Sequence, residues 1–177
     1  TTFAPLKNNK IYVICGPTAV GKTAVAIALA QQLGTEIVSA DSRQCYREMN
    51  IGVARPSVDE LAAVRHHFVA EYPVSEALTA ADYETLALQY LDHIFETTNT
   101  AVVCGGTGLY IKALTDGLDE MPPTNPQITA DIEQQFAEQG LPWLQQCVSD
   151  EDPGFYETGE VHNPHRMMRA LAFVRTT

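Results

Sequence analysis

The sequence predicts an α/β fold: a parallel sheet flanked by helices, carrying a small helical insertion. Three observations predict it. Short β-rich apolar runs alternate with helical patterns over residues 10–115. A glycine-rich loop of the form G-x-x-x-x-G-K-T separates the first such run from the first helix. After a Pro-rich break the chain becomes acidic and helical, with no further strand pattern.

Residues 10–15 (KIYVIC) are a short β-rich run ending at glycine, expected as a buried strand. Residues 22–33 carry Ala24, Val25, Ile27, Ala28, Leu29 and Leu33, an Ala-rich helix stopped by Gly34. Residues 36–40 (EIVSA) are a second strand. Ser57 with Glu60, and Thr79 with Asp82, have the spacing of capping boxes that open helices. The second of these helices places Tyr83, Leu86, Ala87, Tyr90, Leu91 and Ile94 on one face. Residues 100–104 are a third strand, running into Gly105 and Gly106, with a short helix over 108–114.

The break at Met121-Pro-Pro-Thr-Asn-Pro126 precedes about 40 helical, acidic residues, expected as the insertion. Asn163 and Pro164 then supply an N-cap and a first-turn proline for a helix bearing Arg166, Met167, Arg169, Ala170, Leu171 and Val174. The expected organisation is a catalytic core over 1–115, an insertion over 116–162, and at 163–177 the start of a helix returning to the core.

Composition narrows the function. At 177 residues and 45% hydrophobic, the chain holds one ordinary core and is neither disordered nor fibrous. Its longest apolar runs fall far short of the roughly 20 residues a membrane span needs. No signal peptide is expected, because Lys7 and Lys10 lead into a strand-length run and then glycines. The formal charge of −11 taken alone argues against nucleic acid. Its distribution removes that objection. Residues 116–165 hold 11 acids and no Lys or Arg, residues 1–115 hold 11 acids against 8 bases, and residues 166–177 hold three Arg and no acid. Cys15, Cys45, Cys104 and Cys147 form no C-x-x-C pair and read as reduced core thiols of a cytoplasmic protein. The adjacent pair His66 and His67 has no metal-ligand spacing, so no His-built metal site is expected.

The chemistry is carried first by Gly16, Pro17, Thr18, Ala19, Val20, Gly21, Lys22 and Thr23. The glycines let backbone N–H groups curl into an anion nest, and the following helix adds its positive end. Lys22 brings a full charge to phosphate oxygens, and Thr23 offers a hydroxyl to Mg²⁺. A di- or triphosphate with Mg²⁺ is therefore the expected ligand. A motor or switch ATPase would want an acid after an apolar strand and a residue positioning water, but the strand 100–104 ends in glycines. Asp41 follows the second strand, at the carboxyl edge beside the loop. On residue type alone it is a Mg²⁺ ligand, a general base, or a turn-capping aspartate. Gly105-Gly106-Thr107-Gly108 permits close backbone approach to a ligand, and equally suits a plain strand–helix turn.

GPTAVGKT (16–23), ADSRQCYREMNIGVARPS (40–57), RHHF (65–68), GGTGLYIKAL (105–114) and NPHRMMRAL (163–171) together resemble the tRNA dimethylallyltransferase (tRNA isopentenyltransferase) family, in its order and spacing. The resemblance implies a P-loop NTPase/kinase-like core with a helical insertion. It implies transfer of a dimethylallyl group from dimethylallyl diphosphate to the exocyclic amine of the adenosine 3′ of a tRNA anticodon. A monomer is expected. It makes Asp41 the base for that amine, with Lys22 and Thr23 at the diphosphate. Asp41, Ser42, Arg43, Gln44 and Thr107 would face the RNA, as would His165, Arg166, Met167, Met168 and Arg169 on a tRNA-contacting helix. The base would be flipped out of its stack.

Val53 and Arg55 depart from the family's usual Thr and Lys. The family's longer chains supply a further basic residue at the diphosphate and more RNA surface. On that resemblance the 177 residues are expected to be a fragment, inactive alone. The rival readings are an adenylate isopentenyltransferase, a small-molecule P-loop kinase, and a module that only binds RNA or nucleotide.

Overall fold

A computed structural model describes residues 8–118 and 124–177. Lys7, and Met121 to Pro123 of the Pro-rich break, lie outside the described residues. The chain divides into two compact units, Thr1–Leu118 and Asp119–Thr177.

In the first unit the elements run β1 (Lys10–Cys15), α1 (Lys22–Leu33), β2 (Ile37–Ser39), α2 (Val58–Ala63), β3 (His66–His67), α3 (Ala80–Thr97), β4 (Thr100–Gly105) and α4 (Gly108–Asp116). The four strands form one sheet in the order β1-β4-β2-β3, every pair parallel. Parallel strands need crossover connections, and α1, α2 and α3 lie in them. The register sets Ile14 beside Cys104 and Cys15 beside Gly105, with Ser39 beside Cys104 on the other side. The strand ends that carry the loop, Asp41 and the glycine run therefore meet at one edge of the sheet.

The interior strands are apolar because both faces are covered. Val38, Ala101 and Val103 face α3 and α4, whose Tyr83, Ala87, Leu91, Ile94 and Tyr110 complete a cluster with Phe68. Ile37 and Val102 face the other way, against Ala26 and Ala30 of α1. Both capping boxes form: Ser57 with Glu60, and Thr79 with Asp82. Gly34 ends α1 in the left-handed conformation, its φ being 62°.

Two expectations change. β1 is not a buried strand: Ile11 is 43% and Tyr12 39% exposed. It pairs only with β4 among the described residues, so it is an edge strand. Cys15 is accordingly exposed rather than a core thiol, Cys45 is buried, and all four cysteines are free. β3 carries no strand signal in the sequence. Two residues are too few for a period.

The second unit is helical, as expected for the acidic stretch: α5 (Pro126–Glu151), α6 (Pro153–Thr158) and α7 (Pro164–Thr176). Gly140 breaks α5 with φ 75° and ψ −169°, two residues before Pro142. Ile132, Leu144 and Val148 of α5 pack against Met167, Leu171 and Ala172 of α7. α7, at the position expected for the start of a helix returning to the core, shares this cluster with α5. Asn163 caps α7, its side chain accepting from the Arg166 N–H, with Pro164 in the first turn.

Candidate active site

Residues 16–21 join β1 to α1 through a backbone of alternating hand. Gly16 has φ 152°, Ala19 φ 66° and Gly21 φ 88°. Such alternation turns successive N–H groups toward one concave side. Gly21 is the N-cap residue of α1, and no side chain caps the helix among the described residues. The N–H groups of its first turn therefore remain for an anion. Lys22 Nζ donates to the Pro17 carbonyl at 2.5 Å, arching over the loop it would share with a phosphate.

β2 delivers Asp41. Its Oδ1 accepts the N–H groups of Arg43 at 2.9 Å and Gln44 at 3.1 Å. One carboxylate oxygen therefore caps the turn, and the other makes no hydrogen bond among the described residues. Ser42 is tied across to the glycine run, its N–H donating to Thr107 Oγ1 at 3.0 Å. At Gly105 the close neighbour is protein: a Cβ there would sit 2.1 Å from the Ala40 carbonyl oxygen. That contact lets Ala40 N donate to Cys104 O at 2.8 Å and Thr107 N to Ala40 O at 3.0 Å. Thr107 is also the N-cap residue of α4.

Two cavities open on these residues. One, of about 320 Å³, is lined by the loop, Lys22 and Thr23, and runs to Ile37, Ser39, Gln44, Pro56, Glu60 and Cys104. The other, of about 300 Å³, is lined by Gly16, Pro17, Ser42, Arg43, Gly52, Val53 and Thr107. Thr18, Asp41, Ala54 and Gly106 belong to both. Burial is the main force on the thiols near this site, pushing Cys45 up to about 11 and Cys104 upward.

The wall residues Ser39, Ala54, Pro56 and Glu60 carry no catalytic residue pattern, and only the fold brings them to the cavity. Gln44, expected to face RNA, is engaged in that wall. Its Nε2 donates to the Ala54 carbonyl at 2.6 Å and its Oε1 accepts from Ser39 Oγ at 3.1 Å.

The residues present fit a Mg²⁺ that arrives with a diphosphate. Thr23 contributes a hydroxyl that makes no hydrogen bond among the described residues, and it lines the same cavity as Lys22. Among those residues no group of three His, Cys, Asp or Glu could form a cage. Mg²⁺ commonly keeps water and substrate phosphate as its remaining ligands.

On α7, His165, Arg166 and Arg169 are exposed. Arg166 is paired with Glu160 at 2.7 Å. Met167 corrects an expectation: it is 0% exposed, at the centre of the second unit's core, and its side chain offers RNA no surface. Met168 is half-buried against the same cluster. No helix among the described residues is long and apolar enough to cross a membrane.

The fold and site define the chain as an α/β protein of the P-loop NTPase type, with a parallel sheet presenting a phosphate loop at its carboxyl edge. It belongs to the IPP transferase family, whose model matches residues 44–177. It is 46% identical over 164 residues to a tRNA dimethylallyltransferase of Christiangramia forsetii, covering 93% of this chain and 54% of that one. With the same enzyme of Cytophaga hutchinsonii the identity is 38% over 170 residues, covering 96% and 56%. The chain thus spans about half the length of the curated relatives it matches.

Among solved structures it is similar to the full-length tRNA isopentenylpyrophosphate transferase of Bacillus halodurans. The TM-score is 0.60 and the identity 31%, over 96% of this chain and 56% of that one. A eukaryotic dimethylallyltransferase acting on tRNA shares the fold, with TM-score 0.76 at 23% identity over 92% and 40%.

Proposed function

We propose that this chain provides the reaction centre of a tRNA dimethylallyltransferase, moving a dimethylallyl group from dimethylallyl diphosphate to the N6 amine of the adenosine 3′ of the anticodon. One observation carries the reading: Asp41 lines both cavities, where a donor held by the phosphate loop would meet an acceptor beside Ser42, Arg43 and Thr107. The relatives' names supply the substrate class.

In this reading the loop N–H groups, the start of α1 and Lys22 hold the diphosphate and receive the charge that develops as the C–O bond breaks. The Thr23 hydroxyl would help to hold a Mg²⁺ that arrives with the diphosphate, and that ion would supply Lewis-acid neutralisation of the leaving group. The amine nitrogen forms the new N–C bond, diphosphate leaves, and the nitrogen's proton passes to Asp41. An exocyclic amine is a weak nucleophile, so a carboxylate at the attacking nitrogen is what the reaction needs. The target base must leave its stack to reach the second cavity. His165, Arg166 and Arg169 are given to further RNA contact. The enzyme works as a monomer in the cytoplasm, a reducing setting that agrees with four free cysteines.

The test is label transfer. Intact protein is incubated with labelled dimethylallyl diphosphate, Mg²⁺, and either unmodified tRNA or AMP. Label in tRNA alone is expected. Label in AMP but not in tRNA overturns the reading in favour of an adenylate enzyme. Label in neither, with phosphate transfer from ATP, makes the protein a kinase.

A further inference from the structure

The 65–68 motif leads from β3 into a turn that the site has so far not used. Phe68 and Ala70 both adopt the left-handed conformation, with φ 62° and 54°. Neither is glycine, and such residues are uncommon there. Backbone held this way in two of three successive residues needs surroundings that over-determine it.

Those surroundings are on both sides of the turn. The Phe68 ring is fully buried, edge-on to Tyr83 with centroids 5.1 Å apart. Glu71 closes the turn: its Oε1 accepts the Phe68 N–H at 3.0 Å, and its Oε2 accepts the hydroxyl proton of Tyr90 from α3. The Tyr90 hydroxyl also lies 3.0 Å from that of Tyr72. Glu71 therefore joins the turn to a helix packed on the sheet.

The outer side of the turn holds the site. Ala70 N donates to the Gln44 carbonyl at 2.8 Å, while the N–H groups of Glu71 and Tyr72 donate to the Cys45 carbonyl at 2.9 and 3.0 Å. Gln44 is the residue whose own N–H holds Asp41 Oδ1 at 3.1 Å. The Asp41 turn is thus suspended from the 68–72 turn by three backbone hydrogen bonds, and Glu71 fixes their donors. Without them, the Asp41 turn would keep its own two N–H bonds, the Gln44 side-chain bonds to Ala54 and Ser39, and the hold of Thr107 on Ser42.

We propose that Glu71 is a positioning residue for the reaction: it locks the Phe68–Tyr72 turn, and that turn sets the orientation of the Asp41 carboxylate. The inference rests on the transferase reading for its catalytic consequence, but its physical content can be measured without it.

The test uses Glu71→Ala, Glu71→Gln and Tyr90→Phe. Amide hydrogen exchange is followed at Arg43 and Gln44, the donors to Asp41, with the β4 amides as internal reference. Glu71→Ala is expected to speed exchange at Arg43 and Gln44 and leave β4 unchanged. Glu71→Gln, which can still accept from Phe68 N and bond Tyr90, restores protection. In protein active in label transfer, Glu71→Ala lowers kcat roughly 10- to 100-fold, with KM for both substrates little changed, as misplacement of a reacting group does.

Should Glu71→Ala fail to fold, Tyr90→Phe removes one bond to the carboxylate and is expected to give the same pattern in smaller measure. Unchanged protection of Arg43 and Gln44 in the folded variants overturns the proposal, as does a loss spread equally over β4. Exchange is readable whether or not the protein transfers a prenyl group, so failure of the function reading and failure of this inference are distinguishable.

Discussion

The Thr107 hydroxyl accepts the backbone N–H of Ser42 at 3.0 Å, across 65 positions of chain. It also donates toward Ser42 Oγ at 3.4 Å. The two motifs at the carboxyl ends of β2 and β4 are therefore one unit, and Thr107 holds the residue next to Asp41.

That linkage predicts a kinetic split. Thr107→Val keeps the shape and leaves the half-buried Ser42 N–H without its protein acceptor, at a cost of about 1 kcal/mol, the low end for a lost hydrogen bond because the cavity beside it admits water. We expect kcat for transfer to fall while KM for tRNA changes little, with Thr107→Ser near wild type. A variant that raises KM for tRNA at unchanged kcat would make Thr107 an RNA contact instead.

Gly105 is the second point of closure. Its φ is not in the left-handed region, so the demand on it is steric: any Cβ meets Ala40 O at 2.1 Å. Gly105→Ala should destabilise the first unit by about 1–3 kcal/mol, the usual cost of overpacking. It should also move Ala40, and Asp41 with it. The neighbouring Gly106→Ala is a control, since its Cβ would meet nothing nearer than Gly16 O at 3.4 Å. Urea midpoints at constant slope report the difference, and equal midpoints for the two variants would contradict the steric argument.

What the sequence made legible is what short stretches of chain decide. The capping boxes, the glycine loop, the stop at Gly34 and the Asn163–Pro164 start depend on neighbours a few positions apart, and they form as their spacing implies. Long-range pairing is different. The exposure of β1 depends on strand order, which its own residues do not encode. The hold of Glu71 on the site depends on Tyr90, 19 positions away. The GGTG run in isolation suits a ligand approach and a plain strand–helix turn equally, and only the approach of Ala40 shows that at Gly105 the close neighbour is protein. Met167 was legible in principle: it lies four residues before Leu171, the spacing of a buried helix face. The family resemblance of the motif around it implies RNA contact instead.

In the second unit, a titration is expected at low pH. Arg175 donates to Glu151 through Nε at 2.8 Å and Nη2 at 2.6 Å, tying the end of α5 to α7. The guanidinium hydrogen bond holds the Glu151 carboxyl below the ordinary glutamate range. A depressed folded value means that the folded form resists protonation more than the unfolded one. The contribution is therefore present above the unfolded value of about 4.3 and is lost as pH falls through the lower folded value. Both side chains are about a third exposed, so the pair is worth only about 0.2–1 kcal/mol. Glu151→Gln should flatten that part of the stability profile between pH 5 and pH 3, as approximate limits, when unfolding is followed by helical circular dichroism. A profile identical to wild type would show that the pair contributes nothing.

Asp41 can be separated into its two oxygens. Oδ1 is an acceptor for Arg43 N and Gln44 N, a role the amide oxygen of asparagine can also fill. The other oxygen is the proton acceptor in the proposed transfer, and an amide nitrogen cannot take its place. Asp41→Asn should therefore keep the turn, the melting temperature and the RNA affinity, and lower kcat by about 10²–10⁴-fold, the usual span of general-base catalysis. Asp41→Ala removes both roles, so it should lose transfer and also loosen exchange protection at Arg43 and Gln44. Filter binding of unmodified tRNA, run beside label transfer, reads the two properties independently. Retained turnover in Asp41→Asn would sink the base assignment, and a large loss of RNA binding with turnover intact would move Asp41 to the RNA surface.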